Sequence, residues 1–219
     1  MFHASTKLTN EYLPEIAGND VGRYRIERKK GEWIRYGPWL HDYRTMDWLT
    51  GPRILIREIA GVPPYTIWAC YAEETYCNYK TVLNVNPSAT TQVSMKYLLG
   101  ILNSRLLGFM YPFVSNKIVS RSFPRLSVRD IRRLPIRNID SLNTEEKSLH
   151  DRMVAFVDSM LKLHKDLSSV KTDQESTALQ RQMDAKDKQI DALVYELYGL
   201  TEEEIKIVEG TVEMKGGKK

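Results

Sequence analysis

KYLLGILNSRLLGFMY (96–111), PFVSNKIVSRS (112–122) and FPRLSVRDIRRLPI (123–136) follow one another without a gap. In the first, Tyr97, Leu98, Ile101, Leu102, Leu106 and Phe109 recur at helical spacing, while Lys96, Asn103 and Arg105 are polar. A segment apolar over most of its circumference predicts a core helix packed on a sheet. Ser94 stands where its N-cap is needed. Helical period is lost from Tyr111 to Ser122, and Ser115, Asn116, Lys117, Arg121 and Ser122 predict an exposed loop. Ser127-Val128-Arg129-Asp130 is a capping-box-like start with Asp in place of Glu or Gln. The short helix it opens should run to about Leu134, where Pro135 stops it.

Upstream the pattern is that of strands. Met1 to Pro14 has no clear period and reads as irregular. Arg23-Tyr24-Arg25-Ile26 alternates polar and apolar, Lys29-Lys30-Gly31 reads as a hairpin turn, and Glu32 to Tyr36 reads as the returning strand. Trp39 to Trp48 is a short helix or a surface loop. Arg53 to Ile59, Thr66 to Tyr71 and Tyr76 to Val85 are further strands. Val62-Pro63-Pro64-Tyr65 has the tail of the Pro-Pro-Tyr motif of amino-methyltransferases. Val62 lacks the acceptor that motif needs, so the stretch reads as a turn.

Downstream, Asn143-Thr144-Glu145-Glu146 caps a helix whose stripe is Leu149, Met153, Phe156, Val157, Met160, Leu161, His164 and Leu167. After a polar loop at Ser168–Ser176, Leu179, Met183, Lys186, Ile190, Leu193 and Leu197 form a heptad-like seam broken by lysine. Gly199 is placed to end that helix and Thr201 to start another, and Val212–Lys219 reads as a disordered tail. The fold class expected is α+β: a mixed-sheet domain with a packed core helix over residues 1–137, then an antiparallel, coiled-coil-like helical hairpin over 138–219.

Composition narrows the function. The 219 residues carry a net charge of +4, unevenly spread. Met1–Ile139 holds 20 basic and 11 acidic residues, and Asp140–Lys219 holds 12 and 17. A basic first part joined to an acidic second part suggests that the first faces a polyanion. Two sub-clusters stand out: nine basic against four acidic residues in Val21–Arg57, and eight against one in Arg105–Arg137. Cys70, Cys77 and the four histidines have no metal-ligand spacing, so the cysteines read as buried thiols. No apolar run approaches membrane-spanning length, and MFHASTKLTNEYLPE has no signal core, which predicts a cytoplasmic protein without membrane contact. No phosphate loop or catalytic constellation is present in the sequence.

GNDVGRYRI, EWIRYG, GPRILIREIAG, AEETYCN, KYLLGILNSRLLGFMY, FPRLSVRDIRRLPI and QIDALVYELYGLTEEEIKIVE together resemble the TaqI-like C-terminal specificity domain. That is the target recognition domain of N6-adenine DNA methyltransferases and fused restriction-modification enzymes. The resemblance implies sequence-specific recognition of double-stranded DNA through the major groove. It also implies a catalytic methyltransferase domain or subunit as partner, which binds S-adenosylmethionine and, in the fused members, is joined to an endonuclease. This chain itself needs no cofactor. Arg23, Arg25, Arg28, Lys29, Lys30 and Arg35 are the first candidates for DNA contact, and Arg44, Arg53 and Arg57 the second. Asn116, Lys117, Arg121 and Ser122 are the candidates in the loop after the core helix. A different class of reading makes the chain a protein-interaction module that docks a partner through the Ile190/Leu193/Leu197 seam.

Overall fold

The computed structural model describes residues 2–88, 93–115 and 125–210. The tail expected at 212–219 lies outside them. Among the described residues nine short strands come first: β1 (His3–Ala4), β2 (Tyr12–Ile16), β3 (Val21–Gly22), β4 (Arg25–Ile26), β5 (Trp33–Arg35), β6 (Arg53–Arg57), β7 (Ala69–Ala72), β8 (Cys77–Asn78) and β9 (Val82–Val85). Six α-helices follow among the described residues: α1 (Met95–Leu102), α2 (Arg105–Val114), α3 (Val128–Ile131), α4 (Thr144–Leu167), α5 (Asp173–Tyr198) and α6 (Glu202–Val208). The α+β class is therefore as expected.

The strands form a mixed sheet ordered β1-β5-β2-β8, a small β3-β4 hairpin and a sheet ordered β7-β6-β9. In the first, β2 pairs antiparallel with β5 and parallel with β8. The start of the chain, expected to be irregular, supplies β1 and β2. Its pattern hid them because β2 is short, contains Pro14, and gains its pairing from β5 and β8, distant in sequence. β6 is the centre of the other sheet. Ile54 and Ile56 face the main core while Leu55 packs with Ile16, Val21, Cys70 and Val82. Burial on both faces explains its unbroken aliphatic run.

The expected hairpin at 23–36 is not formed. β4 pairs back onto β3, with Val21 opposite Ile26 and Gly22 opposite Arg25, so Arg23 and Tyr24 are the turn. β5 pairs with β1 and β2 instead. Tyr24 has φ 60°, a left-handed conformation that a bulky residue adopts only when its surroundings impose it. Its ring is buried and its N–H donates to Ala69 O at 2.8 Å.

The expected core helix is two helices. Asn103 leaves the helical path because its amide grips the β7 backbone, accepting from Ala69 N and donating to Ala69 O, both at 2.9 Å. Ser104 then caps α2, its hydroxyl accepting from Leu107 N. Pro112 lies inside α2 and cannot donate to Gly108 O. The Thr66 hydroxyl donates to that carbonyl instead, at 3.0 Å. Gly108 permits this closeness, since a Cβ there would lie 2.2 Å from Pro64 O.

The caps read from sequence are present at Ser94, Ser127, Asn143 and Thr201, and Gly199 ends α5 at φ 64°. At α3 only half the box forms: the Ser127 hydroxyl accepts from Asp130 N, while the Asp130 carboxylate accepts from Ser115. α4 and α5 are antiparallel, with Arg152 near the start of α4 reaching Glu196 near the end of α5. The hairpin is part of the main core rather than an appendage. Met153, Val157, Met160, Ile190, Leu193 and Leu197 are all buried in the cluster that contains Tyr97, Leu99 and Ile101. The seam proposed as an open docking surface is thus covered by the chain's own α4 and α2.

Candidate nucleic-acid interface

The first basic cluster begins at the β3–β4 turn and divides by burial. Arg25, Lys29, Lys30, Arg35 and Arg44 are exposed, and Arg28 is half-buried. The segment that carries them is held by backbone contacts to Asp20. Glu27 N donates to Asp20 O and Lys29 N donates to the Asp20 carboxylate, at 2.8 and 3.0 Å. Gly31, at φ 64°, lets the chain turn into β5, so the expected turn at Lys29-Lys30-Gly31 exists but does not join paired strands.

Trp33 and Arg35 are two apart on β5 and so share a face. The Arg28 guanidinium lies 5.0 Å over the Trp33 ring and donates to Glu32 O. The Arg35 guanidinium lies 4.6 Å over Trp39, and Glu11 accepts from its Nε at 2.7 Å. The Glu11 carboxylate, hydrogen-bonded to it, pushes the Arg35 pKa up. The loop after β5 is ordered by Tyr36. Its hydroxyl donates to Arg44 O and accepts from Arg44 N, both at 2.8 Å, and its ring meets Tyr43 at 5.3 Å. Arg44 is 3.2 Å from Asp42. The result is a cation-rich surface interleaved with aromatic rings, able to bind phosphate oxygens and to present guanidinium forks to base edges.

Two expected contact residues are turned inward and a third is only partly exposed. Arg23 is turned inward, its side chain 16% exposed, with Nη1 and Nη2 donating to Asp187 at 2.9 and 2.7 Å and Nη2 also to Asn103 O. Burial is the largest influence and lowers its pKa, but hydrogen bonding to Asp187 and the attraction of Tyr24, Asp187 and Tyr65 together outweigh it and raise it. Arg53 is 1% exposed and donates to Gly51 O and Glu74 O. Burial lowers its pKa. Arg57 is half-buried, stacked 5.1 Å from Trp68. Charge and strand alternation could not separate these from the exposed cations, because β6 is buried on both faces and the tip of the β3–β4 hairpin points inward. Asn116, Lys117, Arg121 and Ser122 lie outside the described residues.

In the second cluster, Arg129, Arg132 and Arg133 are exposed, and it is Arg137 that reaches the hairpin, 2.9 Å from Glu146. His164, part of the stripe read on that helix, stacks on Tyr24 at 6.2 Å. Its burial, and then the nearby Arg25 and Arg23, lower its pKa to about 4. Cys70 and Cys77 are free and buried, and burial pushes both thiols up. The residues missed in sequence are the supports: Asp20, Tyr36 and Glu11. Only the Gly-Asn-Asp start before β3 hinted at one of them.

The arrangement of small mixed sheets with a helical hairpin built into their core is shared with a solved restriction-modification protein. The match is to the Type IIL restriction-modification enzyme MmeI, whose structure is a complex with DNA, at TM-score 0.61 and 11% identity, covering 96% of this chain and 33% of that one. Residues 13–136 match the model of the TaqI-like C-terminal specificity domain, and the chain belongs to that family. A Methanocaldococcus jannaschii protein described as a type II restriction enzyme and methyltransferase, RM.MjaORFECS2P, is 29% identical over 134 residues. That alignment covers 60% of this chain and 11% of the relative, so the chain corresponds to a small share of the relative's length. Among the described residues no helix is long and apolar enough to cross a membrane.

Proposed function

We propose that this chain is the DNA target-recognition module of a restriction-modification enzyme and that it positions double-stranded DNA for an adenine-N6 methyltransferase unit. The observation that carries the reading is the coincidence of two things. The specificity-domain match spans 13–136, and inside it Arg25, Lys29, Lys30, Arg35 and Arg44 are exposed around a rigid sheet. Phosphate contacts from the lysines fix register, and arginine forks read guanine edges. In this reading S-adenosylmethionine belongs to the catalytic unit. The sequence has no glycine-rich loop that could cradle it here.

Fluorescence anisotropy with a labelled duplex tests the proposal. If about five phosphates are neutralised, log K falls with log salt at a slope near −4.5. Binding that ignores salt, or no binding at low salt, refutes it. The adenine assignment is tested by co-expressing the chain with its methyltransferase unit and finding N6-methyladenine, not a methylated cytosine, in the host DNA.

A further inference from the structure

We infer that Arg23 is a positioning residue: with Asp187 of α5 it plugs the β3–β4 turn into the protein and thereby fixes the exposed basic segment Arg25–Lys30 for DNA. The inference rests on the DNA-recognition reading and assigns a role to the helical unit within it. The turn is inverted relative to ordinary surface hairpins, since its two central residues are the buried ones. Tyr24 is 2% exposed, and Arg23, 16% exposed, is closed in by Asp187 of α5, Asn103 at the α1–α2 junction and Tyr65 in the loop between β6 and β7. Both oxygens of Asp187 accept from the guanidinium fork, Asn103 O accepts a third bond, and the Tyr65 ring lies 3.6 Å below it.

Each neighbour is itself fixed. The Tyr65 hydroxyl donates to Asp191, one helical turn after Asp187, at 2.9 Å, and Arg105 N donates to the same carboxylate at 2.8 Å. Asn103 holds Ala69, and Ala69 O accepts from Tyr24 N. The network therefore ties β7, the α1–α2 junction and α5 to one turn. The next residue, Arg25, is exposed, and Lys29 and Lys30 follow within six positions. A planar fork on a carboxylate fixes direction as well as distance, which a packed apolar side chain does not. Base readout depends on such direction, because each fork must meet a specific pair of acceptors.

The test uses the full chain and a duplex selected from a random pool by the wild-type protein. Asp187→Asn and the double variant Arg23→Met/Asp187→Leu are compared with wild type for melting temperature, affinity for the selected and a scrambled duplex, and amide exchange at 25–30. The apolar pair recovers the melting temperature, since a buried ion pair is replaceable in stability. It does not recover discrimination. Affinity for the selected duplex falls about tenfold, within the range for residues that couple to a site without touching it. Affinity for the scrambled duplex and the salt slope are unchanged, and exchange at 25–30 accelerates. If the double variant regains both stability and discrimination, the pair is merely structural and the inference is overturned. Should Asp187→Asn fail to fold, the double variant alone decides. Wild type that binds no duplex overturns the recognition reading together with this one, whereas wild type that binds alongside variants of equal discrimination overturns this one alone.

Discussion

Removing the charges of Lys29 and Lys30 together should weaken DNA binding by a predictable amount while leaving the fold intact. Both side chains are exposed, and Lys29 is held to the fold by its backbone N–H, not its ammonium. The Lys29→Ala/Lys30→Ala variant therefore keeps Asp20, Gly31 and the entry to β5. Five exposed cations in this region give a slope near −4.5, and three give about −2.7. Because the counterion contribution vanishes toward 1 M salt, a slope difference of about 1.8 becomes roughly a sixtyfold loss of affinity at 0.1 M. The loss should be the same for every duplex, since ammonium contacts to phosphate carry no base information. Anisotropy titrations between about 0.05 and 0.2 M salt measure both quantities. A sixtyfold loss with an unchanged slope would show that the lysines act through structure. A loss confined to one sequence would show that they read bases. An unchanged affinity would place the interface elsewhere.

Other substitutions separate the buried cations from the exposed ones. Arg53→Met should leave the salt slope at its wild-type value, because the side chain is 1% exposed, and a slope smaller by about 0.9 would contradict its burial. Asn103→Asp should destabilise by about 2–4 kcal/mol in chemical denaturation, since a carboxylate cannot donate to Ala69 O and would sit buried beside it. Asn143→Ala should cost about 1 kcal/mol, because its side chain accepts from both Glu145 N and Glu146 N. His164 gives a pH signature. Its pKa falls from 6.5 to about 4 on folding, so the unfolded state binds the extra proton between those values. Stability is then complete above pH 6.5 and is lost as pH falls toward 4, by about 1–2 kcal/mol after allowing for partial exposure. Melting temperatures of wild type and His164→Phe over that window should converge at low pH relative to neutral pH. Parallel curves would remove His164 as the cause.

Local chemistry determined a good deal. The caps at Ser94, Asn143 and Thr201, the left-handed end at Gly199 and the long helices of the acidic part follow from side chains reaching backbone groups within a turn, and from apolar spacing. The strand read at Arg53–Ile59 followed from its aliphatic run and is β6. The resemblance to the specificity-domain family also came from sequence alone, carried by residues scattered over most of the chain. Charge located the basic region without choosing among its members.

The choice was made by contacts between residues far apart in the chain. Arg23 and Arg25 alternate with apolar residues in the same way, yet Arg23 meets Asp187 across 164 positions while Arg25 faces outward. β5 was legible as a strand but not its partners, because pairing depends on where β1 and β2 are delivered by the fold. The break at Asn103 was hidden because an amide that grips another strand looks, in sequence, like any polar residue on a helix. Propensity and periodicity act over a turn or a strand, and so they specify elements. Burial of a charge needs a partner brought from elsewhere, and so only the tertiary structure could divide the arginines into those that hold the protein together and those left exposed at its surface.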